Sequence, residues 1–402
     1  MERLLDSPLL RTRDGALFLG SQALDSLAAG VAGVALPWLV LDATGSPAAA
    51  GLVFALEFLP YVVFGLFAGL AGDRFATRPL IIASHLVEAA FAVMIPAWAV
   101  TRGTPPLWLV GAAAFMIGAA RVFVDAGAFG AIASLVGPER FTGGQSLLSS
   151  AWATGTLVGP ALGGALVAAI GPARTLSVEA GAFAIAALLV LAVRTQLGAP
   201  NPSEGRALDG VAEGLTFILR DPLLRPLTAT GWVWNIAAAG SFALLVPLLR
   251  TAGGLSAHET GIVLAFGAAA GLSAPPVLHL LQRRYDGPAL YLRMLFASAV
   301  PTLAVGYARG PVACGAAVAA GNLVMFIEMS TFIGARQTRA PADLQARVGI
   351  SGRMLMTSSM VLGSLLASWL TSLVSLPTLY ALMAVATVAV GLVALRALPR
   401  DA

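Results

Sequence analysis

Apolar residues run along this chain in stretches too long for soluble helices, and polar interruptions recur between them. A membrane-crossing helix needs about 20 mainly apolar residues. Cutting the runs where charges, Pro and Gly gather predicts twelve such helices, at 14–41, 47–72, 79–101, 106–134, 142–170, 174–197, 226–250, 257–282, 288–308, 311–337, 344–372 and 376–397. The longest polar stretch, Gly198 to Arg225, divides the sixth from the seventh. The predicted organisation is therefore a six-helix bundle over 1–197, a cytoplasmic linker over 198–225 and a second six-helix bundle over 226–402. The fold class is an all-α membrane protein with two pseudo-symmetric halves.

Composition removes the soluble alternative. The chain is 58% hydrophobic and 11% charged, where a soluble domain carries roughly 25% charged residues. Cys314 is the only cysteine, so neither an intrachain disulfide nor a cysteine zinc site can form. All 24 basic residues are arginines, and they are dispersed among loops, which gives no nucleic-acid footprint. With no lysine, there is no Walker-type phosphate loop to couple the chain to nucleotide hydrolysis. Nor do facing spans carry the clustered His/Asp, Ser/Lys or paired Asp motifs of a membrane enzyme. With the N-terminus inside, nineteen arginines fall in inner segments and four in outer loops, namely Arg102, Arg174, Arg250 and Arg309. The positive-inside rule then places both termini in the cytoplasm of an inner-membrane protein.

The two halves overlay on each other. At a spacing of 210, Asp25 meets Asn235, Pro37 meets Pro247, and GLVFA at 51–55 meets GIVLA at 261–265. At 204, Gly155, Gly159, Gly163 and Gly164 meet Ser359, Gly363, Ala367 and Ser368. Duplicated halves are a mark of secondary transporters.

Two motifs sharpen this. The loop after the second span reads GLAGDRFATR, with Gly69, Asp73, Arg74 and Arg78 as its spaced Gly, Asp-Arg and Arg. In the fifth span GTLVGPALGG puts Gly155, Gly159 and Gly163 on one helix face, with Pro160 favouring a kink and Gly164 alongside. The first motif resembles the loop 2–3 signature of the major facilitator superfamily, departing from it at Gly72, Ala76 and Thr77. The second is similar to that superfamily's antiporter signature in all its fixed positions. The stretch 35–60 resembles its enterobactin-exporter-like and macrolide-efflux-like branch. The resemblance implies an exporter of a small amphipathic organic molecule, a drug, natural product or siderophore-like compound. It would work by alternating access in exchange for protons; the alternative is an importer or facilitator in the same fold. It implies no cofactor beyond the proton gradient. The expected partners are a small-molecule substrate, protons and the lipid bilayer, without nucleic acid, and the chain is expected to act as a monomer.

Ionisable side chains deep in a membrane read as functional. Asp25, Glu57, Arg121, Asp125 and Glu328 each lie about 14 Å or more into a span, and Asn235 is the repeat counterpart of Asp25. Arg121 and Asp125, one turn apart, are expected to pair. Asp25 and Glu328, with no basic partner in the sequence pattern, are expected to take up protons. The helix-4 motif of the family is matched only in part, since Asp125 stands at its glycine. Glu88 and Glu179 are read as structural, and His85 as interfacial.

Overall fold

The computed structural model describes residues 8–74, 76–198, 207–341 and 344–397. Helices dominate these residues. In chain order, the long ones are α1 (Arg13–Thr44), α2 (Pro47–Arg74), α3 (Thr77–Arg102), α4 (Leu107–Val136), α5 (Phe141–Ile170) and α6 (Pro172–Ala192). The second half holds α7 (Leu224–Ala243, continued by Leu245–Thr251) and α8 (Ala257–Leu272, continued by Ala274–Gln282). These are followed by α9 (Gly287–Tyr307), α10 (Gly310–Arg339), α11 (Gln345–Leu370) and α12 (Leu376–Ala397). Among the described residues eleven are long and apolar enough to cross a membrane; α7, bent by 45° at its break, makes twelve. The chain is a multi-pass membrane protein.

The chain forms two compact units. One comprises 1–44 and 56–205; the other comprises 45–55 and 206–402. The first residues of α2 thus cluster with the second half, whereas a cut at 197 assigns them to the first. The reason is local: at Gly51 a Cβ would run into the Ser368 hydroxyl of α11 and lie 3.2 Å from Leu244 Cδ2, and Phe54 packs on Phe242.

Within each unit the same helices pair. In the first, α1 packs on α5 and α6, and α3 on α4 and α6. In the second, α7 packs on α11 and α12, and α9 on α10 and α12. The repeat reaches individual contacts. A Cβ on Gly30 of α1 would lie 2.8 Å from Gly159 Cα of α5, and one on Gly240 of α7 would lie 3.1 Å from Gly363 O of α11.

Two boundaries differ from the hydropathy reading. The sixth span stops at Ala192, five residues short of 197. Asp14 at the base of α1 stops it: its Oδ2 accepts from the Arg194 and Thr195 amides at 3.1 and 2.7 Å, leaving those residues non-helical. The linker contains a helix, Ala207–Arg220, that polarity alone does not predict. Its buried Gly214 and Ile218, one turn apart, face α11, where a Cβ on Gly214 would lie 2.5 Å from Arg347 O. Ser351 Oγ donates to Val211 O at 2.9 Å, and Glu213 pairs with Arg347.

After this helix, Asp221 starts α7. Its Oδ1 accepts from the Leu223 and Leu224 amides at 2.8 Å each, and its Oδ2 is 3.2 Å from Arg339 Nε at the end of α10. Burial acts to raise this carboxyl, but the two amide bonds and Arg339 outweigh it and hold it below the ordinary range. A depressed folded-state value means stability present above the unfolded value of about 3.9 and lost as pH falls through the folded one. Asp221→Asn is predicted to cost about 1 kcal/mol at neutral pH, the scale of a helix cap. The gap in thermal unfolding between the two proteins should then shrink as pH falls below about 4 and close only below the depressed folded-state value; a gap unchanged over that fall contradicts the assignment.

Candidate functional site

The first unit gathers charge between α1, α2, α3, α4 and α6. Gly118 of α4 lies so close to the Glu57 carbonyl that a side chain there would collide with it. That contact brings Arg121, one turn on, against α2: its Nη1 is 3.3 Å from Glu57 Oε1. Its Nε is 3.8 Å from Glu88 Oε1 on α3, and its Cζ is 5.8 Å from the centre of the Phe183 ring on α6. His85 and Glu88, three residues apart, share one face of α3 and meet at 2.8 Å through Nδ1 and Oε2. Asp25 Oδ1 on α1 lies 3.8 Å from the same nitrogen. His85 and Glu88 are fully buried, Asp25 and Glu179 nearly so. Asp25 Oδ1, Glu88 Oε1, His85 Nε2 and Arg121 Nη2 have no hydrogen-bond partner among the described residues.

Asp25, Glu57, Glu88 and Glu179 set four carboxyls against one guanidinium and one imidazole. The cluster therefore has more proton-binding groups than fixed positive charge. Asp25, His85 and Glu88 also offer three donor atoms within 4.8 Å of one another. Arg121 Nε lies 3.8 Å from Glu88 Oε1 at the edge of this donor set.

Several sequence expectations are corrected here. Arg121 does not pair with Asp125. Its partners lie on α2 and α3, and Asp125 Oδ2 instead accepts from Tyr61 OH at 2.8 Å. Asp25 does have a basic neighbour, His85. That histidine is buried, not interfacial, and Glu88 belongs to the cluster. Asn235 is engaged with α11 through Met356 O and, at 2.8 Å, Ser359 Oγ, so it holds two helices together. Glu328 sits in the second unit, 1% exposed, and neither carboxyl oxygen has a hydrogen-bond partner among the described residues. The missed signal is the His-x-x-Glu spacing on α3, which puts both side chains on one face.

The glycine motif of α5 is a packing seam against α1. A Cβ on Gly159 would lie 2.6 Å from Gly30 Cα, one on Gly163 2.7 Å from Val31 O, and one on Gly155 would overlap Ser26. Gly164 is buried, and α5 runs unbroken through Pro160. Gly363 repeats the seam on α11, meeting the backbone of Ile236 on α7. In the loop motif, Gly69, Asp73 and Arg74 are in the last turns of α2, and their side chains lie outside the described residues. Arg78 donates to Leu191 O and ties the start of α3 to the end of α6.

Residues 18–359 match the family described as the Major Facilitator Superfamily. The chain belongs to that superfamily. Over 206 residues it is 32% identical to the multidrug efflux pump Tap of Mycolicibacterium fortuitum, covering 49% of this chain and 50% of that protein. The chain spans about half the length of the Tap relatives it matches. The uncharacterized MFS-type transporter YfiS of Bacillus subtilis is 25% identical over 391 residues, 91% of this chain and 90% of that one. Among solved structures, a point mutant of the nucleoside transporter NupG superposes with a TM-score of 0.77 at 10% identity, over 95% of this chain and all of that one. A POT family transporter in complex with a thioalcohol-conjugated peptide reaches 0.74 at 10% identity, over 95% of each chain. At such identities the likeness is one of fold.

Proposed function

We propose that this protein exports a small amphipathic organic molecule across the cytoplasmic membrane by alternating access, in exchange for protons. The carrying observation is the cluster of buried Asp25, His85 and Glu88 with partly buried Glu57 and Arg121, which combines excess proton-binding groups with a fixed positive charge inside a membrane unit. A group so placed binds a proton only when the surrounding helices give it a path to water, and that is the requirement for coupling. The export direction rests on the α5 glycine motif and on Tap, a multidrug efflux pump matched over half its length. The arginine bias supports cytoplasmic termini.

Inverted membrane vesicles energised acid-inside supply the test. Ethidium, tetracycline and erythromycin are offered in turn, and uptake of at least one should collapse when the gradient is dissipated. Gradient-independent movement of every compound that moves at all contradicts proton exchange.

A further inference from the structure

The second unit contains a cavity of about 100 Å³ between α7, α9, α10 and α12. The internal repeat shows how it arises. α3 and α9 begin at Thr77 and Gly287, a spacing of 210, which the close contacts of Gly30 and Gly240 support for α1 and α7. α6 and α12 begin at Pro172 and Leu376, a spacing of 204, which also sets Gly111 and Gly130 of α4 on Gly315 and Gly334 of α10.

In the first unit the corresponding space is filled. Ile117 and Phe183 pack there with Phe91 and small alanines. Their counterparts are Gly321, Thr387 and Pro301, and all three line the cavity. Three bulky side chains have small ones opposite them in the repeat. A Cβ added to Gly321 would meet only Pro301 Cβ, at the ordinary distance of 3.7 Å. Protein interiors are otherwise close-packed, with few voids larger than a water molecule.

The charge is gone as well. Ser298 stands opposite Glu88 and Met325 opposite Arg121, and both border the cavity. Among the described residues its lining includes no ionisable acid or base apart from the Tyr380 phenol. Most polar hydrogens of the wall are already committed. Ser298 Oγ donates to Leu295 O and accepts from Trp234 Nε1, Thr302 and Thr387 donate to backbone carbonyls, and Tyr380 OH donates to Ser241 O. Asn322 in the wall carries a carboxamide, which can donate and accept at once; its Nδ2 lies beside Gly267 of α8, 2.8 Å from where a Cβ there would stand. An apolar wall with one amide is the composition of a site that orients a neutral ligand group. An apolar cavity of about 150 Å³ takes benzene, so this one matches the tip of a single ring or a branched alkyl group.

We propose that the cavity is a recognition site for an uncharged ring or branched alkyl group of the transported molecule, with Asn322 bonding an amide or carbonyl beside it. This rests on the reading of the chain as a carrier of small organic molecules. Glu88 and Arg121 of the first unit thus have Ser298 and Met325 opposite them in the repeat, beside a cavity that takes a neutral group.

The test is binding of 4-fluorobenzamide to the purified full-length protein in detergent, followed by 19F NMR, with fluorobenzene as comparison. Saturable binding of the amide is expected, weakened at least tenfold in Gly321→Ile and in Thr387→Phe, each of which restores the first unit's side chain. Asn322→Leu should weaken 4-fluorobenzamide at least fivefold and leave fluorobenzene unchanged. Gel filtration and helical circular dichroism check folding, and Asn322→Leu, which barely changes volume, decides the matter if a filled variant misfolds. Equal binding by the wild type and the folded filled variants overturns the proposal. So do equal affinities for the two probes with no dependence on Asn322, the signature of general apolar partition or a lipid tail. Binding needs no proton gradient, so loss of efflux with probe binding intact would overturn the transport reading and leave the cavity assignment standing.

Discussion

Arg121→Gln is expected to reduce proton-driven efflux at least tenfold and to destabilise the first unit by about 3–5 kcal/mol, the scale of breaking a buried ion pair from one side. The substitution leaves Glu57 and Glu88 without the guanidinium that now lies 3.3 and 3.8 Å from them. Arg121→Lys keeps the charge but replaces a planar fork that reaches two carboxyls by a single point of contact. It should restore most of the stability and only part of the transport. Efflux from energised vesicles and thermal unfolding of the purified protein, measured on the same variants, separate the two effects. An Arg121→Gln protein with wild-type stability and efflux would show that the cluster is not held together as described.

The second large effect is expected at the α1–α5 seam. Gly159→Ala already places a Cβ 2.6 Å from Gly30 Cα, a distance that neither backbone can tolerate without moving apart. It should at least halve efflux, and Gly159→Leu should abolish it. Gly143 supplies the control, because it lies on the same helix with nothing within 4 Å of an added Cβ. Gly143→Ala should transport normally. If Gly159→Leu also does, the seam is not a tight contact and the glycine motif has another role.

The sequence makes the helices plain because an apolar run long enough to span a bilayer has few other fates. It also makes the seam plain, since glycines at four-residue spacing on one face signal close approach. Depth alone could find Asp25, Glu57 and Arg121, because counting residues from a span's end locates a side chain along the membrane normal. It could not find their partners. The Arg121–Asp125 pair is favoured by spacing within one helix, yet Gly118 lets α2 come close enough for Glu57 to reach the arginine first. Contacts between helices depend on rotation about each axis, and hydropathy carries no such information in a helix apolar on nearly every side. For the same reason His85 looks interfacial in sequence and is buried in the fold. The linker helix Ala207–Arg220 escaped because its charged face masks the buried Gly214 and Ile218. Only a reading by helical period would have shown them.

Proton exchange by the buried cluster is tested most directly in reconstituted proteoliposomes carrying the purified protein. The lumen is made acidic and followed with the fluorescent pH probe ACMA, and a compound shown to move in the vesicle assay is then added outside. For each molecule that enters, the account predicts release of lumenal protons, seen as recovery of ACMA fluorescence. Recovery should be absent in Asp25→Asn and Glu88→Gln proteins that still insert and fold. Substrate uptake with no change in lumenal pH, or full fluorescence recovery in both variants, would contradict it.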